Sequence, residues 1–146
     1  MAVHIQRADR ADDELLAALR RLVPQLTRNH PPPTRADLEA LLASEAGTLL
    51  IARHPGADGP IVGVLTLVTY RVPTGVRARI EDVVVDEGAR GQGIGEALVR
   101  EGLRLAQQAG ADGVALTSNP RRVAANRLYQ KIGFKRWETN VYFYAF

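Results

Sequence analysis

The run Val83-Val84-Val85-Asp86-Glu87-Gly88-Ala89-Arg90-Gly91-Gln92-Gly93-Ile94-Gly95 restricts the folds open to this chain more than any other stretch. Three successive β-branched residues read as a buried strand and the glycines as a tight turn. Leu98, Val99, Leu103 and Leu105 then fall at helical spacing in a helix over Gly93 to Ala109, closed by Gly110. A strand that feeds a helix through glycines is an anion site. The first N–H groups of a helix lack intrahelical partners, the helix dipole favours negative charge there, and glycines allow a phosphate close to the backbone. Arg90 stands at the lip, ready for a charge-assisted contact.

Spacing separates the phosphate loops that compete for this pattern. A Walker loop requires Gly-Lys-Ser/Thr where this chain has Gly95-Glu96-Ala97. A dinucleotide fingerprint counted from Gly91 or Gly93 requires glycine at Glu96, or glycine or alanine at Leu98. Both fail. The alternative, a tight glycine turn that binds nothing, is the lesser reading of the loop chemistry.

The rest of the chain predicts a mixed sheet flanked by helices in one domain over residues 1–146. Val3, Ile5 and Arg7 alternate as a short strand. Asp12, Asp13 and Glu14 load the first turn of a helix carrying Leu15, Leu16, Leu19, Leu22, Val23 and Leu26, which Pro24 is expected to distort or end. After the irregular Asn29–Pro33, Thr34 is placed to cap a second helix that Gly47 closes. Thr48–Arg53 and Ile61–Tyr70 form a hairpin, and a strand covers Arg77–Asp86. Gly113–Thr117 reads as a short buried strand, Val123–Ile132 as a helix, and Phe134–Phe146 as a terminal hairpin. The aromatic Val141–Phe146 fits a buried last strand or one that pairs across a dimer, burial being the simpler expectation.

Composition removes several classes of function. The chain has no cysteine, so disulfides, thiolate metal sites and cysteine nucleophiles are excluded. His4, His30 and His54 show no metal-ligand spacing, and no metal is expected. The net charge is +3 and nearly all the positive charge is arginine, since Lys131 and Lys135 are the only lysines. Arginine suits phosphate. The arginines are scattered and the aromatics scarce before the C-terminal stretch, which argues against nucleic acid as a partner. No signal-peptide core or membrane-length apolar run is visible, so a cytosolic protein with no membrane partner is expected.

Arg90-x-x-Gly93-x-Gly95 after a β-branched strand resembles the acyl-CoA pyrophosphate loop of the GNAT superfamily of N-acetyltransferases. The later stretch Ala124-Ala125-Asn126-Arg127-Leu128-Tyr129-Gln130-Lys131-Ile132-Gly133-Phe134 is similar to that superfamily's second signature, a short helix that bears a tyrosine and ends in Gly-Phe. With the order of strands and helices, the resemblance spans essentially the whole chain. It implies an α/β (α+β) fold with a mostly antiparallel sheet of about seven strands and about four helices. Central strands splayed apart would hold the acyl-CoA.

The resemblance also implies roles. Gly91, Gln92, Gly93, Ile94 and Gly95, with Arg90, would hold the CoA pyrophosphate. Val83, Val84 and Val85 would line the pantetheine and acetyl group, with backbone groups of Val83 and Val85 presented to them. A strand edge can pair with pantetheine amides, and an N–H aimed at the thioester oxygen would stabilise an oxyanion. Tyr129 would be the general acid that protonates the departing thiolate, and its alternative is a core phenol with no chemistry. Asn126 would touch CoA or order its helix. Glu81, four residues before Val85, is the candidate general base, and plain strand alternation puts it on the same face as Val83 and Val85 unless a bulge intervenes. Its alternative is a carboxylate paired with Arg77 or Arg79.

The implied reaction is transfer of acetyl from acetyl-CoA to a primary amine of a small molecule, amino acid or peptide. Without cysteine, direct attack within a ternary complex is the simpler route. The acceptor is expected between Asn29–Pro33 and Trp137–Tyr144, and the protein is expected as a monomer or homodimer. Ser118-Asn119-Pro120-Arg121-Arg122 departs from the asparagine-led form common in that superfamily. A non-catalytic acyl-CoA-binding regulatory domain is the alternative, and Tyr129 argues against it.

Overall fold

The computed structural model describes residues 2–146. Five strands form one sheet in the order β1 (His4–Arg7), β2 (Gly47–Arg53), β3 (Ile61–Val72), β4 (Gly75–Val85), β5 (Val114–Ala115). The first four are antiparallel and β5 joins β4 in parallel. Helices α1 (Asp13–Leu26) and α2 (Arg35–Ala43) cover one face, while α3 (Ile94–Gln108) and α4 (Val123–Ile132) serve the other.

Local chemistry accounts for most boundaries. Asp12 caps α1, its carboxylate accepting from the Leu15 N–H at 2.9 Å. Thr34 and Asp37 form a reciprocal capping box on α2. α1 runs through Pro24 to Leu26, so the proline neither ends nor precedes the end by a full turn. α2 stops at Ala43, and Gly47 opens β2 instead of closing the helix.

Each face of the sheet has its own apolar core. Leu50, Leu65, Leu67, Ala78 and Ile80 pack with Leu98, Val99 and Tyr129 on the α3/α4 side. Leu49, Ile51, Val64 and Val84 pack with Leu15, Leu16, Leu19, Leu22 and Leu38 on the α1/α2 side. Among the described residues no helix is long and apolar enough to cross a membrane.

Two expectations are corrected. Among the described residues the sheet has five strands, not about seven, and β5 is two residues, Val114 half-buried and Ala115 exposed, rather than a buried strand over Gly113–Thr117. The missing strands are those expected in Phe134–Phe146. Beyond Phe134 the chain has no regular structure, and Trp137 and Val141–Tyr144 are exposed, so the expected burial is not found. An alternating segment becomes a strand only when an edge supplies its hydrogen bonds, and here it lies against none.

Candidate active site

β4 is interrupted where the chemistry is expected. Thr66 pairs with Glu81 but Val64 pairs with Val84, so Leu65 alone faces Asp82 and Val83. Asp82 absorbs the extra residue at φ +51°, a left-handed conformation that aspartate tolerates better than most residues. The bulge reverses the alternation. Ile80, Val83 and Val85 all contribute to the α3/α4 core, while Val84 is buried in the α1/α2 core. Glu81 therefore lies on the α1/α2 side, opposite Val83 and Val85, which corrects the expectation from unbroken alternation. Arg79 Nε donates to its carboxylate at 3.1 Å. Arg77 instead contacts Asp112 and Thr74.

β4 and β5 pair only through Ala78 with Val114 and Arg79 with Ala115. From Ile80 to Val85, β4 has no strand on that side, so a cleft opens toward the glycine loop. Ser118 follows β5 there, its hydroxyl buried without a hydrogen-bond partner.

The loop after β4 begins with a 3₁₀ turn at Glu87–Ala89, and Arg90 Nε donates to the Val85 carbonyl at 3.2 Å. Gly91 and Gly93 have φ +77° and +78°, and Gly93 is the N-cap of α3. A left-handed N-cap with no side chain turns the chain into the helix while leaving its amides uncovered. The first backbone bond of α3 is Ala97 N–H to Gly93 O at 3.0 Å. The N–H groups from Gly91 through Glu96 make no hydrogen bond among the described residues. A Cβ on Gly95 would lie 3.3 Å from Leu128 and 3.7 Å from Val85, so this glycine lets α3 start close to both α4 and β4. Ile94 is buried, leaving only its backbone for a ligand.

α1 and α4 hold this loop. Arg21 Nε donates to Asp86 at 3.1 Å, Arg21 Nη2 to the Ile61 carbonyl at 2.6 Å, and Gln25 accepts from the Glu87 N–H at 2.9 Å. Burial pushes the Asp86 carboxyl up, but the bonds from Gln25 and Arg21 together outweigh it and hold it below its ordinary value. Glu96, in the first turn of α3, takes Lys131 at 2.9 Å and Arg100 at 3.0 Å. Those bonds, Lys131's foremost, lower its carboxyl and balance the negative charge in the first turn of α3.

Tyr129 is 7% exposed, packed in the α3/α4 core with Val83 and Val85, and meets Phe134 edge to face at 5.7 Å. Its hydroxyl makes no hydrogen bond among the described residues. Burial raises the phenol above its ordinary value, against a smaller downward pull from Arg122. Asn126 Nδ2 donates to the carbonyls of Asn119 at 3.0 Å and Arg122 at 2.8 Å, so its amide orders the start of α4.

The family model for the GNAT acetyltransferases matches residues 15–134, a span that contains the bulged strand, the loop and the tyrosine helix. The chain belongs to the GNAT acetyltransferase family. It is 36% identical over 107 residues to a mycothiol acetyltransferase of Thermobispora bispora, an alignment covering 68% of this chain and 31% of that protein. It is 34% identical over 141 residues to a rice protein named "Probable glucosamine 6-phosphate N-acetyltransferase 2", covering 91% of this chain and 82% of the relative. The chain thus spans about a third of the mycothiol acetyltransferase. The crystal structure of a Trypanosoma brucei acetyltransferase superposes with a TM-score of 0.76 at 24% identity, over 99% of this chain and all of that one, and shares the GNAT fold.

Tyr129, Val83 and Val85 share the α3/α4 core, and Arg90 ties the glycine loop to the Val85 carbonyl. Arg21, Gln25 and Asp86 carry no local motif that marks them in the sequence, because their link joins residues far apart in the chain.

Proposed function

We propose that this GNAT chain transfers the acetyl group of acetyl-CoA to a primary amine within a ternary complex. The observation that carries the reading is the set of free amides from Gly91 to Glu96 opening onto the gap beside β4, with an unpaired phenol on the same side. Acetyl-CoA fits this donor set. The amides and Arg90 take the pyrophosphate, and the open edge of Val83 to Val85 takes the pantetheine amides as an added strand would. Val84 serves through its backbone alone, since its side chain is buried on the other face.

Tyr129 donates a proton to the leaving thiolate. A thiol has a pKa near 8.5 and this phenol stays above its ordinary 10.0, so it keeps its proton at neutral pH and can give it as charge grows on sulfur. Glu81 receives the proton of the attacking amine, directly or through water. Its place on the α1/α2 face, reached by the bulge, means the amine enters from the side opposite the core that holds Tyr129. Alignment of amine and thioester supplies much of the rate, about 7 to 11 kcal/mol in well-oriented systems. Asn126 acts on the site by holding the Asn119–Arg122 turn.

The acceptor class is a primary amine on a small molecule, amino acid or peptide. The name of the rice relative makes glucosamine 6-phosphate a member of the first panel to test. Calorimetric titration with acetyl-CoA, followed by thiol release against amines, amino acids and amino sugars, tests the reading. Binding with amine-dependent release supports it. Binding with no release across the panel favours a regulatory acyl-CoA-binding domain, and absence of binding overturns it.

A further inference from the structure

The α1/α2 face of the sheet is only partly roofed. Leu49, Ile51, Val64 and Val84 lie in the core beneath the two helices, whereas Val68 and Tyr70, further along β3 on the same face, belong to neither core, and Tyr70 is 40% exposed. Register sets Thr66 beside Glu81, Val68 beside Arg79 and Tyr70 beside Arg77. Ala78 and Ile80 point into the α3/α4 core, so Arg77, Arg79 and Glu81 line this open shelf together. Arg79 is paired on its other side with Ala115 of β5, which is small and exposed.

The charges on the shelf are unequally used. Arg77 is occupied, its Nη1 donating to Asp112 at 3.3 Å and its Nη2 to Thr74 at 2.6 Å. Arg79 donates to Glu81 through Nε alone, at 3.1 Å, so both of its Nη groups and the second oxygen of Glu81 have no hydrogen-bond partner among the described residues. An arginine–carboxylate pair in its strongest form is bidentate, and here each partner keeps part of its capacity open. Two donors of a single positive charge thus stand next to an open carboxylate oxygen. That is the complement of a molecule that carries a carboxylate and an ammonium close together. A phosphate dianion suits the shelf less well, because Asp112 already matches Arg77 and the one guanidinium left has Glu81 beside it.

We propose that this shelf selects a free α-amino acid as the acceptor. Glu81 takes its ammonium, the Nη fork of Arg79 takes its carboxylate, and Val68 with Tyr70 takes an apolar side chain such as that of leucine or phenylalanine. The planar fork matches a carboxylate in a way that a lysine ammonium does not. That the bound amino acid is acetylated rests on the acetyl-transfer reading, whereas its recognition by the shelf does not. The Arg79–Glu81 contact is solvent-exposed and adds little to stability, so substitutions at Arg79 report on binding rather than folding.

Calorimetric titration of the full chain with L-leucine, L-phenylalanine and their carboxamides, without and with CoA and at a pH where all the amines stay protonated, tests the assignment. The carboxamides keep the amine and the side chain and lose the negative charge. The parent chain is expected to bind each acid at least about tenfold more tightly than its carboxamide, as charge-assisted bonds to one group imply. Arg79→Gln is expected to abolish the preference, and Arg79→Lys, which keeps the charge without the fork, to restore it in part, with the melting temperature unchanged in both. Equal binding of acid and carboxamide by the parent, or binding of neither, overturns the proposal, and so does a preference that survives Arg79→Gln. Glucosamine 6-phosphate bound more tightly than either amino acid, and weakened by Arg79→Gln, overturns it too, since the fork then reads a phosphate. Thiol release from acetyl-CoA separates this proposal from the broader reading. A preference in binding with no release by any amine defeats acetyl transfer alone. Release by other amines, with no preference for acid over carboxamide, defeats the amino-acid assignment alone.

Discussion

Arg79 and Glu81 sit two residues apart on the same face of β4, joined Nε to carboxylate at 3.1 Å, with the bulge at Asp82 immediately beyond them. The pair holds the carboxylate at the edge of the cleft rather than inside the core. If Glu81 takes the amine proton, Glu81→Gln lowers kcat by about 100-fold and leaves the Kd for acetyl-CoA unchanged. Steady-state kinetics beside calorimetry separate the two. A carboxylate that only pairs with Arg79 would give equal, small effects for Glu81→Gln and Arg79→Gln.

Tyr129→Phe removes the unpaired hydroxyl and keeps the ring that packs against Phe134. The expected outcome is unchanged melting temperature and acetyl-CoA affinity with kcat reduced about 100-fold. Because burial raises the phenol above 10.0, its deprotonation would not cut the rate of the parent enzyme below about pH 10. A pH profile of kcat with an alkaline limb near 8 to 9 that Tyr129→Phe abolishes would contradict this.

Gly93→Ala places a side chain at φ +78° where a Cβ meets no neighbour, so the cost is conformational rather than steric. About 1–2 kcal/mol of stability should be lost, measured by denaturant titration. The same change distorts the free amides at the start of α3, and acetyl-CoA should bind at least about tenfold more weakly.

The Arg21–Asp86–Gln25 link makes stability sensitive to acid. The folded-state pKa of Asp86 lies below its ordinary 3.8, so the contribution is complete above that value and is lost as pH falls through the folded pKa. Thermal melts from pH 7 down to pH 2 should therefore show a steeper acid decline for the parent chain than for Asp86→Asn. At pH 7 the variant should melt lower. Parallel acid declines in the two proteins would remove Asp86 from the account.

What the sequence made legible was local. The capping box at Thr34, the glycine entry into α3 and the helix around Tyr129 depend on residues within a few positions of one another. The bulge was not legible, because its register is set by which residues of β3 meet Glu81 and Val84, and Asp82 alone gives no sign of it. The hold of α1 on Asp86 spans 65 residues and has no spacing to betray it. Periodicity in 135–146 describes how that segment would lie on a sheet, and says nothing of whether an edge is there to bond it.

The two cores share no side chain. Substitutions that do not touch across the sheet tend to add, so a change among the apolar residues beneath α1 and α2 that leaves Arg21 and Gln25 in place should combine additively with one on the α3/α4 face. The sheet in that sense separates two nearly independent layers. If the glycine loop and Tyr129 serve the acyl donor as proposed, that side can stay constant while apolar positions over the other face are rebuilt for a different guest.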